Sequence, residues 1–372
     1  LTISSFTDDI TASTLRKSTA VTTPTNDKTP DYKFYSSKAG IISYGGSCSS
    51  STTSAVSGNN TITLNTLSLG TYSDCTVTVT DSASNSVTLN MSSFVVIPSY
   101  VAVGDSGTIL TSSNGTSWTS RTSSTTNKLY DIAIGNNNYV TVGLTGMILT
   151  SQNGVSWVSK SSGSTQNIMA VNYGNSKFMG VTDYGGHVLT STSSTSWSLS
   201  SDLTDTWKFY GLTYAVNNYV IVGNFDSKNI LISTDETTWT KKDGGSENYD
   251  IEYGNNIFVT VGQSGNLRTS SDASSWTSRT SGTSSDLNGV TFGGSIFVSV
   301  GGAGTIISSS DGISWTSRTS GTSFTLNGVT YGNSTFIAVG KGGTILTSSD
   351  GISWTSPTSG TNEVLNAVTS KE

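Results

Sequence analysis

The sequence predicts an all-β protein in two parts. A β-sandwich occupies residues 1–98, and a seven-bladed β-propeller closed by a C-terminal strand occupies residues 99–372. Three observations support this. Tryptophan recurs at 118, 157, 197, 239, 276, 315 and 354, in steps of 39, 40, 42, 37, 39 and 39 residues. Each interval holds four short apolar runs separated by Gly or Asn turns. Both cysteines, and none of the eight tryptophans, fall in the first hundred residues.

Length and composition agree with two domains. At 372 residues the chain exceeds what a single core usually serves. Charged residues are 11% and hydrophobic ones 33%, with 40 Gly. Disorder is countered by the 8 Trp and 15 Tyr, which recur at fixed intervals beside β-branched runs. The net charge is −6, with no basic stripe, so nucleic acid is not an expected partner. No apolar run approaches 18 residues, so no membrane insertion is expected. The chain begins at Leu1 without a signal-peptide pattern and reads as a processed product or an excerpt of a longer protein.

In the first region, strand-like runs stand at 31–36, 40–44, 61–67, 72–80 and 86–97, divided by clusters such as Gly45-Gly46-Ser47 and Ser57-Gly58-Asn59-Asn60. Cys48 and Cys75 are the only cysteines, and a disulfide between them implies an oxidising compartment. Two runs, 39–48 and 58–81, resemble the bacterial Ig-like domains of large surface proteins and adhesins. The first is Ala-Gly-Ile-Ile-Ser-Tyr-Gly-Gly-Ser-Cys; the second holds Gly58-Asn59-Asn60-Thr61 and Tyr72-Ser73-Asp74-Cys75. The region departs from the antibody pattern: it has no Trp, and Tyr72 precedes Cys75 by three residues. The resemblance implies a spacer.

From Tyr100 the repeat takes over. In the last full unit its strands are 326–331, 335–339, 344–347 and 353–356. The first unit lacks its first strand, because Tyr100-Val101-Ala102-Val103-Gly104 matches the second strand of later units. The missing piece is Leu365-Asn366-Ala367-Val368-Thr369 at the other end, which would close the ring and leave no open edge.

The Trp phrase has the local form Ser-x-[Asp/Asn]-Gly-x-x-Trp and resembles the Asp-box of BNR-type propellers. Its instances pair Asn114 with Trp118, Asn153 with Trp157, Asp235 with Trp239, Asp272 with Trp276, Asp311 with Trp315 and Asp350 with Trp354. The third unit has Ser193 before Trp197. An acid repeated once per blade is expected to be structural, accepting turn N–H groups while Trp packs across the hairpin. It is not expected to bind metal. A basic position three residues after Trp (Arg121, Lys160, Lys242, Arg279, Arg318) reads as protection of an edge strand. Phrases such as Leu326-Asn327-Gly328-Val329-Thr330-Tyr331 extend the resemblance to the BNR/Asp-box group and, more distantly, to photosystem II assembly-factor propellers. A photosynthetic role fits poorly with an Ig-like spacer and a disulfide.

The sequence suggests recognition rather than chemistry. Sialidase chemistry needs an arginine triad, and only Arg121, Arg268, Arg279 and Arg318 stand in the repeat region, three of them in the outer-strand column. Asp250 and Glu252 share a strand face but form no recognisable catalytic set. The expectation is therefore a non-enzymatic extracellular or cell-surface protein that binds glycan or protein, without a cofactor. A structural subunit of a filament or surface layer, packing against copies of itself, is the second reading. A sialidase-like glycoside hydrolase is the third.

The binding residues are sought where repeats disagree. The second position of the innermost strand is Asn288, Asn327 and Asn366 in three blades, but Tyr130, Met169, Tyr210 and Tyr249 in the others. The third and fourth blades carry long connections containing Asp183, Tyr184 and His187, and Phe225 and Asp226. Tyr130, Asp183, Tyr184, His187, Tyr210, Phe225, Asp226 and Tyr249 are the candidate site.

Overall fold

A computed structural model describes residues 10–200, 207–224 and 228–371. The chain divides into two compact units, Leu1–Ile97 and Pro98–Glu372. Among the described residues no helix is long and apolar enough to cross a membrane.

The first unit holds three antiparallel sheets. One orders Leu15–Thr19, Asp31–Ser36 and Gly58–Thr63; another orders Ser54–Ala55, Gly40–Gly45, Thr76–Thr80 and Ser86–Asn90; Gly70–Tyr72 pairs with Phe94–Val96. Alternation decides the buried face: Tyr32, Phe34, Ile62, Val77 and Val79 enter one core while their strand neighbours face out. The run expected at 72–80 is broken. Tyr72 leaves to pair with Phe94, and its ring stacks on Phe94 at 5.2 Å. The run expected at 86–97 divides for the same reason, into Ser86–Asn90 and Phe94–Val96. Leu15–Thr19 reads as polar in sequence because it is an edge strand with little buried surface. Cys48 and Cys75 form a disulfide with Cα atoms 5.2 Å apart. Closing its 27-residue separation restricts the unfolded chain by roughly 3–4 kcal/mol.

Among the described residues the second unit contains seven sheets. Five follow one plan, exemplified by Leu287–Gly293, Ile296–Gly301, Ile306–Ser309 and Thr316–Arg318 in spatial order. In the sheet that begins the unit, Thr119–Arg121, Ile109–Ser112 and Tyr100–Gly104 are joined by Leu365–Ser370 from the C-terminus, with Ala102 opposite Val368 and Val103 opposite Ala367. The innermost strands neighbour one another in chain order: Leu129–Gly135, Ile168–Gly174, Lys208–Ala215, Asn248–Gly254, Leu287–Gly293, Leu326–Gly332 and Leu365–Ser370. The last also neighbours the first, so the ring closes.

The seventh sheet corrects one expectation. Its outer strand at 353–356 is reduced to a single bridge between Thr347 and Thr355. Elsewhere the basic residue of the outer strand pairs with the third strand, as Arg318 does with Ile306. Pro357 stands at that position and has no N–H to donate. The basic column itself is held inward: Arg121, Arg279 and Arg318 each donate from Nε to a third-strand hydroxyl at 2.8–2.9 Å.

Each Trp phrase forms one turn. In the phrase of Trp315, Asp311 Oδ1 accepts the N–H groups of Ile313 and Ser314, both at 2.8 Å. Ser309 Oγ accepts the Gly312 N–H at 2.8 Å, and Trp315 Nε1 donates to the Gly312 carbonyl at 2.9 Å. The indole then tilts against Phe297, 6.3 Å between centroids. Gly312 has φ of 70°. Glu236 and Ala273 hold the same left-handed conformation without being glycine, at some strain.

Candidate functional site

The innermost strands line a channel enclosing a cavity of about 310 Å³. A register shift interrupts each of these strands near its start, for example between Leu129 and Asp131 and between Asn248 and Asp250. A bulge turns its extra residue off the regular alternation. The seven bulge residues are Tyr130, Met169, Tyr210, Tyr249, Asn288, Asn327 and Asn366, and all seven line the cavity.

This ring has two halves. On one, Asn288 donates to the Leu326 carbonyl, Asn327 to Leu365 and Asn366 to Leu129, at 2.8–2.9 Å, each stitching its sheet to the next. Their amides are committed to the fold. The other half has Tyr and Met, which among the described residues bond to no main-chain carbonyl of the next sheet; Tyr210 instead donates to the Glu247 side chain at its edge. There, the residue after the bulge makes the stitch in two sheets. Asp131 accepts the Val171 N–H and Asp250 the Val290 N–H, both at 2.8 Å, while each also accepts the N–H of its own successor. In the other five sheets that position is Ala170, Gly211, Gly289, Gly328 or Ala367. The inner strands approach closely here: a Cβ on Gly328 would meet the Asn366 carbonyl oxygen at 3.0 Å.

Burial dominates the electrostatics of the channel. It pushes the Asp131 carboxyl up to about 6 against its two N–H donors. The same burial, with the charge of Asp131 added, pushes Asp250 up to about 7. Burial and the Glu247 charge raise Tyr210 and hold Tyr249 at about 12. Glu247 is the hub of the mouth. It accepts from Tyr210 Oη at 3.3 Å, Tyr249 Oη at 3.4 Å and Asn224 Nδ2 at 2.6 Å. The two rings meet edge to face at 5.6 Å. A Tyr hydroxyl on a Glu carboxylate superficially matches a nucleophile pair, but these phenols are held neutral and donating.

The structure brings together Tyr130, Tyr210 and Tyr249 on the cavity wall. Asp183 is buried and accepts from Asn167 Nδ2 at 2.7 Å, and its charge acts on the Tyr130 phenol. Tyr184 is exposed, with Lys208 Nζ 5.0 Å from its ring centre. His187 lies elsewhere. Its Nδ1 is 3.3 Å from the Ser200 carbonyl, towards the outer strand of its sheet. Phe225 and Asp226 lie outside the described residues. Sequence reasoning missed Asp131, Asp250 as a channel carboxylate, and Glu247. A signal existed for Glu247: the residue two before each bulge varies as Lys128, Asn167, Lys208, Glu247, Asp286, Thr325 and Val364. That position lies at or just ahead of the start of the inner strand.

The sequence matches no protein-family profile. No relative emerges among curated proteins. Solved structures share the fold of much of the chain. YCF48 bound to D1 peptide is similar with a TM-score of 0.55 at 16% identity, over 66% of this chain and 86% of that one. A catalytically inactive virginiamycin B lyase from Staphylococcus aureus with quinupristin is similar with a TM-score of 0.56 at 13% identity, over 62% and 84%. A streptogramin B lyase gives 0.55 at 10%, over 62% and 82%. At these identities the likeness is one of fold, a β-propeller.

The lyases correct one expectation. The exclusion of enzymatic activity does not stand, because structures of this fold include an enzyme. A missing arginine triad argues only against sialidase chemistry.

Proposed function

We propose that the second unit is a seven-bladed Asp-box propeller whose channel mouth binds a segment of a partner protein. The first unit is an Ig-like sandwich that acts as its spacer, and the protein works outside the cell or on its surface. The disulfide supports the setting, since such bonds persist in oxidising compartments. Seven sheets in a closed ring support the blade count.

One observation carries the binding reading: the ring of bulge residues is divided. Asn288, Asn327 and Asn366 are consumed by bonds between sheets, whereas Tyr130, Tyr210 and Tyr249 present half-buried aromatic surface to the cavity. Large, stiff aromatic side chains at a concave mouth suit an anchor for a partner's side chain. Asp183 and Tyr184 extend the surface at the rim. YCF48, which shares the fold, has been solved with a peptide, and this supports a protein segment as the ligand class.

The test is a random-peptide display selection on the immobilised full chain, followed by binding to Tyr130→Ala, Tyr210→Ala and Tyr249→Ala. Enriched peptides should lose at least about tenfold in affinity on the tyrosine variants, about 1.4 kcal/mol. A selection that enriches nothing, or peptides indifferent to all three variants, would overturn the proposal.

A further inference from the structure

Apart from its tyrosines, the ionisable side chains that line the cavity below the mouth are all carboxyl groups. Asp131, Asp250 and Glu252 line it, with no lysine, arginine or histidine among the lining residues. Asp250 and Glu252 lie two residues apart on one strand, roughly 7 Å along the channel wall. Anything entering end-on therefore meets carboxylates at two depths. The cavity of about 310 Å³ compares with ~30 Å³ of liquid per water molecule, which leaves room for an extended side chain.

The rim carries both signs, with acids acting on two of its tyrosines. Asp105 and Asp183 act on the Tyr130 phenol, and Glu247 and Asp286 on that of Tyr249. Asp183 is 9% exposed, and its Oδ1 is buried with no hydrogen-bond partner among the described residues. A buried acceptor left open is satisfied by water or by another donor that reaches it. The protein also places its own ammonium groups on rim tyrosines: Lys128 lies 5.4 Å from the Tyr130 centroid and Lys208 5.0 Å from that of Tyr184. Lys128 is tied to Asp105 at 3.1 Å.

A metal ion does not fit this arrangement. Asp131 and Asp250 belong to different sheets, and among the described residues no three acidic, Cys or His groups gather tightly enough to hold one. Tyrosine rings that line the same cavity as separated carboxyl groups suit a larger, softer cation.

We infer that the channel mouth accepts an organic cation end-on, an alkylammonium or guanidinium group carried by a lysine or arginine side chain or by a free amine. The inference rests on the mouth being a binding site and names the chemistry it selects.

The test uses the full chain and calorimetric titration at low salt with 1,8-diaminooctane and, as its neutral counterpart, 1,8-octanediol. The diamine should bind at least tenfold more tightly than the diol, and the double variant Asp131→Asn, Asp250→Asn should lose most of that preference. Equal binding of diamine and diol overturns the inference without requiring any variant to fold, and so does a preference unchanged in a folded double variant. A lysine-containing peptide and its Nε-acetylated form make the second arm. Tighter binding of the unmodified peptide than of the diamine identifies a side chain as the source, and the reverse identifies a free amine. If selected peptides depend on Tyr210 and Tyr249 but carry no basic residue, the cation inference falls while the peptide-binding reading stands.

Discussion

The turns of the Trp phrases and the channel wall use the same side chain to opposite effect. Asp272 and Asp350 sit in exposed turns where two backbone N–H groups converge on each carboxylate and hold it at about 2; the same donors lower Asp235 and Asp311. Asp131 and Asp250 also accept two N–H groups each, yet rise to about 6 and 7 because burial outweighs the bonds. The turn acids also accept serine hydroxyls, from Ser270 and Ser275 at Asp272 and from Ser348 at Asp350. Hydrogen bonding and solvent access therefore both lower them, whereas burial outweighs the two bonds in the channel. Repetition separates them too. The turn acid or its Asn equivalent occurs in six of the seven Trp phrases, whereas the channel acid occurs in two of seven inner strands. A carboxylate that any blade can carry is architecture. One placed in two blades, where five others need only Ala or Gly, is a local feature that the repeat does not require.

The largest effect should come from removing what the turn exists to hold. Trp315→Ala deletes an indole packed on Phe297 and should cost about 3–5 kcal/mol in urea unfolding. A cost under about 1 kcal/mol would mean that the turn, rather than the indole, secures the sheet. Next in size is the channel pair. Their folded pKa values lie above the ordinary 3.8, so the folded state holds more protons than the unfolded chain between about pH 4 and 7. Their contribution is complete below 3.8 and is lost as pH rises through 6 and 7. The turn aspartates act in reverse: their contribution is complete above 3.8 and is lost as pH falls towards 2. Stability should therefore peak near about pH 4–5. The double variant Asp131→Asn, Asp250→Asn should abolish the decline on the alkaline side, on the order of 3 kcal/mol for Asp131 and 4 kcal/mol for Asp250. Thermal unfolding from pH 3 to 8 measures it, and a variant that keeps the decline contradicts the assignment. The smallest effect distinguishes charge from geometry in the turn. Asp311→Asn should leave Tm within about 1 °C, because Asn114 and Asn153 accept the same two N–H groups; Asp311→Ala should lower it by about 2–4 °C. Equal losses from both substitutions would assign the turn's stability to charge.

Much of the fold was legible because repetition averages away local ambiguity. Seven Trp phrases at near-constant spacing mark seven equivalent turns, and the phase of Tyr100 against Leu365 marks the shared sheet. The first unit was less legible because nothing in it repeats. Tyr72 and Cys75 look like one strand until the partner of Tyr72 is known to be Phe94. The site was legible only in part. Tyr130, Tyr210 and Tyr249 stood out as departures from Asn288, Asn327 and Asn366, but what the asparagines do was not visible. Glu247 was missed because its partners, Asn224, Tyr210 and Tyr249, come from three strands of two sheets. His187 illustrates the reverse. Its connection is long and polar, yet its Nδ1 lies against the Ser200 carbonyl and the residue is not among those that line the cavity.

The sequence by itself determined the all-β class, the period, the turn chemistry and the pairing of the two ends of the second unit. These follow from local rules of alternation, turn residues and spacing, which each repeat states again. Only the tertiary structure decided which carboxylates are buried, which asparagines are committed, and which side chains the bulges turn into the channel. A bulge moves one residue by half a strand period, and burial depends on strands that lie about forty residues apart or more in sequence but adjacent in the ring. The same two letters, Asp-Ile, therefore mean a raised, half-buried acid at Asp131 and Asp250, and no period or composition distinguishes them from a polar residue on an exposed strand.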